Sequence, residues 1–116
     1  MTRVTLYGIA NCDTVKKARN WLDRHQVEFD FHDYRKQGLD RSLLQSMESA
    51  LGWEAMLNRR GTTWRRLPES LRQEMNRATA LDVMLENPAI IRRPILSRND
   101  QLIIGFNEHR YQEIFS

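Results

Sequence analysis

Cys12 is the only cysteine in the sequence. It can neither close an intramolecular disulfide nor build a thiolate zinc cluster, so it is either an inert core residue or a reactive thiol. It stands where Arg3–Tyr7, with Val4 and Leu6 alternating against polar neighbours, breaks at Gly8 and gives way to Val15, Ala18 and Leu22 at helical spacing. A thiol at such a strand-to-helix junction faces backbone N–H groups and the positive end of the helix dipole, which favour the thiolate. Asn11 can cap the helix, Lys16 one turn on adds a charge that lowers the thiol pKa, and Asp13 pushes weakly the other way. The competing reading is that Cys12 merely begins the buried Val15, Ala18, Leu22 stripe. Val15 occupies the position where a Cys-x-x-Cys pair would carry its second thiol, so disulfide exchange would need an outside thiol, from glutathione or a partner protein.

Arginines supply the second candidate chemistry. Arg92-Arg93-Pro94-Ile95 precedes an expected strand, and a guanidinium beside the Cys12 loop could clamp an oxyanion or carboxylate; otherwise the two arginines are simply solvated. Pro94 denies the sheet a donor and suits a special backbone conformation, a cis peptide among them. Arg59, Arg60, Arg65 and Arg66 surround Trp64 and resemble a nucleic-acid patch in composition. With 18 basic against 15 acidic residues the net charge is only +3, so a solvated loop is the better reading and no nucleic-acid partner is expected. His25, His32 and His109 lack the spacing of a helical metal pair, and no metal is expected. Gly8 has no P-loop or dinucleotide fingerprint around it.

These residues must be positioned by one core, because 116 residues fit a single domain. Hydrophobic residues at 41% and charged residues at 28% match a soluble chain. No stretch approaches the ~20 apolar residues of a bilayer span, Met1–Tyr7 lacks a signal-peptide core, and a cytoplasmic location is expected, with no membrane partner. A second strand over Glu28–Tyr34 would lie parallel to the first, giving β-α-β. Asp40 caps a helix through Leu43, Leu44, Met47 and Leu51 that Gly52 ends, and a short helix follows around Trp53–Leu57. Arg59–Arg66 reads as an exposed loop, Pro68 starts a helix running to about Arg77, and Thr79 caps another that buries Leu81, Met84 and Leu85 before Pro88. Ile95–Ser97 and Leu102–Gly105 flank a turn at Arg98-Asn99-Asp100 as antiparallel strands, and Asn107 caps a last helix carrying Tyr111, Ile114 and Phe115.

Tyr7-Gly8-Ile9-Ala10-Asn11-Cys12-Asp13-Thr14-Val15-Lys16-Lys17-Ala18 resembles the N-terminal signature of the ArsC/Spx/YffB family, the arsenate reductase-like group. Asn58-Arg59-Arg60-Gly61-Thr62-Thr63-Trp64 and Arg93-Pro94-Ile95 strengthen the likeness, which covers essentially the whole chain and is closest to the YffB branch. The resemblance implies an α/β, thioredoxin-like fold. Its four-stranded mixed sheet would carry a helical insertion, about residues 40–88, between β-α-β and β-β-α halves of one domain spanning 1–116. It also implies a glutathione-dependent thiol reductase with Cys12 as nucleophile, Asn11 and Lys16 supporting the thiolate, and Arg60, Arg93 and Pro94 at the anion or glutathione site. Arg59 is the alternative to Arg60. Glutathione or a glutaredoxin would resolve the mixed disulfide. The rival implied by the same resemblance is an Spx-like, non-enzymatic regulator that binds the RNA polymerase α subunit or another protein, although Val15 stands where its redox switch has a second cysteine.

The third oxyanion-binding arginine of the arsenate reductases would fall near Gly105, within Ile104-Gly105-Phe106-Asn107, where there is no arginine. Losing one preorganised donor costs on the order of a hundredfold or more in rate. Steady-state assays with glutathione and glutaredoxin should therefore show arsenate turnover slower than exchange with glutathione disulfide; efficient reduction at low arsenate would contradict this.

Overall fold

The computed structural model describes residues 3–116. They divide into two compact units, the first running to Gln37 and resuming at Arg93–Ser116, the second spanning Gly38–Arg92.

The first unit is built on a four-stranded mixed sheet. Strands β1 (Val4–Gly8), β2 (Asp30–Asp33), β3 (Ile95–Arg98) and β4 (Gln101–Ile104) lie in the order β2-β1-β3-β4. β1 and β2 are parallel, joined by helix α1 (Asp13–Arg24), while β1 pairs antiparallel with β3 and β3 with β4. This is the thioredoxin-like arrangement that the resemblance implied. Asn99, at φ 56°, and Asp100 make the β3–β4 turn, the left-handed conformation that Asn tolerates. Helix α8 (Glu108–Ile114) closes the unit, with the Asn107 side chain accepting from the Arg110 N–H at 3.0 Å.

Period-2 burial of Val4 and Leu6 and the α1 stripe of Ala18, Trp21 and Leu22 meet Leu96, Ile103 and Tyr111 in one core. Tyr111 makes T-shaped contacts with Trp21 at 5.5 Å and with Phe106 at 4.9 Å, the geometry that aromatic quadrupoles prefer. At the outlet of β1, a Cβ on Gly8 would lie 2.8 Å from Val15 Cγ2. Glycine is required there because the first turn of α1 sits directly on the strand end.

The second strand is shorter than expected. It stops at Asp33, and Tyr34–Gln37 forms one helical turn, α2, because the Asp33 side chain accepts from the Arg35 N–H at 2.9 Å and caps it.

The second unit is helical. Helix α3 (Arg41–Leu51) begins with the Asp40 side chain accepting from the Leu43 N–H at 2.7 Å and ends at Gly52, φ 85°. Helix α4 (Trp53–Met56) follows. Arg59–Arg66 is not a loop throughout, since Thr62–Arg65 forms the short helix α5. Local bonding explains it: the Arg65 guanidinium donates back to the carbonyls of Arg60 and Gly61, tightening a turn that polar residues alone do not signal. Helix α6 covers only Glu69–Gln73. Asn76, rather than Thr79, caps α7 (Arg77–Glu86), accepting from the Thr79 N–H at 3.0 Å; Val83 is buried there and Leu85 only half so. Pro88 opens a 3₁₀ turn to Ile90 instead of simply ending the helix. The middle of the unit is stitched to its end by Asn58 N–H to Ile90 O at 2.9 Å and Arg92 N–H to Met56 O at 2.8 Å. No helix of the described residues is long and apolar enough to cross a membrane.

Replacing Gly8 by Ala should overpack the β1–α1 contact and cost about 1–3 kcal/mol in urea unfolding. Adding Val15→Ala should make the double variant less destabilised than the sum of the two single ones; strict additivity would show that the contact is not tight.

Candidate active site

Cys12 is the N-cap residue of α1, with extended backbone, φ −96° and ψ 126°. Asn11 therefore does not hold the capping position. It is exposed, one residue too early. The Cys12 N–H donates to Ile9 O at 3.2 Å and its carbonyl accepts from the Lys16 N–H at 2.9 Å, which turns the side chain toward the first N–H groups of the helix. Its side chain makes no capping hydrogen bond of normal geometry. The charged form is the one its surroundings favour.

Burial pulls the thiol upward, but it is outweighed by the Val15 N–H, by the Arg93 guanidinium acting both as hydrogen-bond donor and as charge, and by the Thr14 N–H. The net result is a pKa below the ordinary thiol value. The help expected from Lys16 is supplied instead by Arg93; Lys16 is an exposed side chain. Cys12 itself is half-buried, reachable by a second thiol.

Arg93 reaches Cys12 because β1 and β3 are antiparallel, with Tyr7 opposite Ile95. The segment leaving β1 and the segment entering β3 therefore lie at one end of the sheet. The Arg93–Pro94 peptide is cis and Pro94 is buried. The Pro94 carbonyl accepts from the Gly105 N–H at 2.8 Å, and Gly105 has φ 86°. The position that lacks a third arginine is thus a left-handed turn that favours glycine.

Beside the first turns of α1 runs an open groove of about 890 Å³, lined by Thr14, Lys17, Asn20, Phe106 and Asn107 among others. Sequence reading missed it, since nothing in Phe106 or Asn107 marked them as neighbours of α1.

Arg59 and Arg60 belong to the second unit. Both are exposed and line a cleft of about 340 Å³ with Arg92, Glu54, Leu57 and Asn58. Asn58 accepts from the Arg60 N–H at 3.1 Å, and the Arg59 guanidinium sits 5.6 Å from the centre of the Trp64 ring.

Residues 7–114 match the ArsC family. The chain is 48% identical to an uncharacterised protein of Haemophilus influenzae, covering 97% of this chain and 99% of that one. It is 31% identical to the global transcriptional regulator Spx of Streptococcus pyogenes, over 97% of this chain and 85% of the other. Among solved structures, a YffB protein superposes with a TM-score of 0.93 at 42% identity, covering 97% and 99% of the two chains.

Because the folded-state pKa is depressed, the Cys12 thiolate stabilises the fold above the ordinary thiol pKa, and that contribution is lost as pH falls through the folded value. Thiolate absorbance should titrate below the ~8.5 of a free cysteine. Arg93→Ala should move the midpoint back up and Lys16→Ala should leave it in place; the opposite pattern would reassign the partner.

Proposed function

This chain belongs to the ArsC family, and from that premise we propose that it acts as a single thioredoxin-like domain, a cytoplasmic, glutathione-dependent thiol reductase with Cys12 as its nucleophile. The supporting observation is the Cys12 thiol held toward its charged form by two helix N–H groups and Arg93. The thiolate attacks one sulfur of a disulfide; the S–S bond breaks, a thiolate leaves and takes a proton, and Cys12 is left in a mixed disulfide. With Val15 in place of a second cysteine, an external thiolate must attack that bond and restore the Cys12 thiolate. Glutathione or a glutaredoxin supplies it, and with it the electrons.

Arg93 binds an anionic group of the incoming molecule, and its planar fork suits a carboxylate better than a lysine would. Arg60, or its neighbour Arg59, offers an exposed positive charge to an anion on the second unit. Glutathione is an extended tripeptide, and the groove beginning at Thr14, with the charge of Lys17 on its wall, is the room it would use. The identity with Spx favours a second reading, a non-enzymatic regulator that works by binding a protein partner. The two separate at Cys12, which only the enzyme needs.

Incubation with glutathione disulfide should add one glutathionyl group at Cys12, seen by mass spectrometry, and Cys12→Ser should abolish both this and reductase activity. Arg93→Lys should weaken glutathione binding on the order of tenfold with the fold intact, as expected for loss of a charge-assisted bond of ~1.5–3 kcal/mol. Unmodified Cys12 after prolonged incubation would turn the assignment toward the regulator.

A further inference from the structure

The groove along α1 is longer than glutathione needs. It opens at Thr14, in the first turn of the helix that Cys12 caps, and ends at Asp23 and Arg24 in the last turn. From Thr14 to Arg24 the helix rises about 15 Å at ~1.5 Å per residue. Glutathione is a tripeptide with its sulfur on the central residue, so from a sulfur at Cys12 it extends roughly 7–10 Å toward either end. A polypeptide continuing from its own cysteine reaches further, and about four or five extended residues span the groove. The walls suit such a chain. The Asn20 side chain makes no hydrogen bond among the described residues, and its amide can both donate to and accept from a peptide backbone. Half-buried Phe106 gives the opposite wall apolar surface, and the Arg24–Glu108 ion pair at 3.8 Å ties the two walls at the far end. Lys17 and Asp23 are exposed in the groove, and neither forms an ion pair among the described residues. They stand about 7.5 and about 16.5 Å along the axis from Cys12 at ~1.5 Å per residue. The second and fifth residues beyond a bound cysteine fall at about 7 and about 17 Å in an extended chain.

We propose that the substrate is a protein disulfide, and that the groove binds the extended segment flanking its cysteine, with an acidic residue of that segment on Lys17 and a basic one on Asp23. This rests on the reading of Cys12 as a nucleophile that glutathione regenerates, and it names what that nucleophile acts on. The Cys12 thiolate attacks one sulfur of the protein disulfide, the S–S bond breaks, and the other half departs as a thiolate that takes a proton. The half in the groove stays as a mixed disulfide until a glutathione thiolate attacks the Cys12 sulfur and displaces it as a thiol. A second glutathione thiolate then attacks the sulfur of the bound glutathionyl group, which restores the Cys12 thiolate and releases glutathione disulfide. Two glutathiones thus supply the two electrons, and glutathione occupies the near turns only after the peptide has left.

The test uses end-blocked hexapeptides with a terminal cysteine, made as mixed disulfides with thionitrobenzoate, the better leaving group, so that Cys12 takes the peptide sulfur and the coloured thiolate is released. One pair carries glutamate two residues and lysine five residues after the cysteine, or the two exchanged; a second pair runs in the reverse chain direction. Composition and net charge are the same throughout. In one chain direction the peptide with glutamate nearer the cysteine should react on the order of tenfold faster than its exchanged partner at low salt, because two exposed attractions replace two repulsions, and the gap should close at high salt. Lys17→Glu combined with Asp23→Lys should invert the preference, and Lys16→Gln, at a charge that does not line the groove, should leave it in place. Equal rates for the two charge orders in both directions overturn the proposal, as does a preference that survives the double exchange or disappears with Lys16→Gln. If Cys12 reacts neither with these disulfides nor with glutathione disulfide, its reading as a nucleophile falls too; reaction with glutathione disulfide and no preference for charge order strikes the groove alone.

Discussion

The antiparallel pairing of Tyr7 with Ile95 decides which side chains Cys12 meets. A parallel neighbour at that edge would have carried the start of the next strand to the far end of the sheet, and Arg93 with it. With the strands opposed, Arg93 arrives two residues before β3 at the end where β1 releases the chain toward Cys12. The other half of the constraint is Gly8. Only a residue without Cβ lets Val15 pack at the strand outlet, and Val15 is one of the residues whose N–H faces the sulfur. Sheet topology and one close approach thus fix three donors around one atom.

The balance at that atom explains the choice of residue types. Half-burial alone would keep the thiol protonated, since desolvation penalises the charged form. Backbone N–H groups compensate without adding flexible charge, and a guanidinium adds both direction and charge. Lys16 carries a charge too, but its side chain is exposed on α1 and is not among the groups acting on the sulfur, which is why it does not take the role its spacing suggested.

Much of this was legible in the sequence, for identifiable reasons. Strands β1, β3 and β4 and helices α1, α3 and α8 carry clean hydrophobic periods with Asn, Asp or Gly at their ends, and these local signals survive into the structure. Helix α5 and the cap of α7 were misread because their boundaries depend on arginine and asparagine side chains bonding nearby backbone, and several residues there could have done so. At the site, Cys12 was visible from its junction and Arg93 from its motif. The cap at Cys12 itself was not, because adjacent Asn11 and Cys12 could each have begun the helix, and the groove against Phe106 was not, because it joins residues far apart in the chain.

Gly105 bears on how such a site could change over time. An ideal Cβ there meets no other atom within 4 Å, so space is not what keeps an arginine out. The backbone is, since φ 86° places an L-residue in the left-handed region at about 1–2 kcal/mol, and the Gly105 N–H is tied to the Pro94 carbonyl. A single codon change would therefore install the guanidinium on a strained turn anchored to the residue beside Arg93. The step to a third arginine is thus opposed by the strain of the turn and not by crowding, and an engineer or a lineage taking it would gain by relaxing that turn.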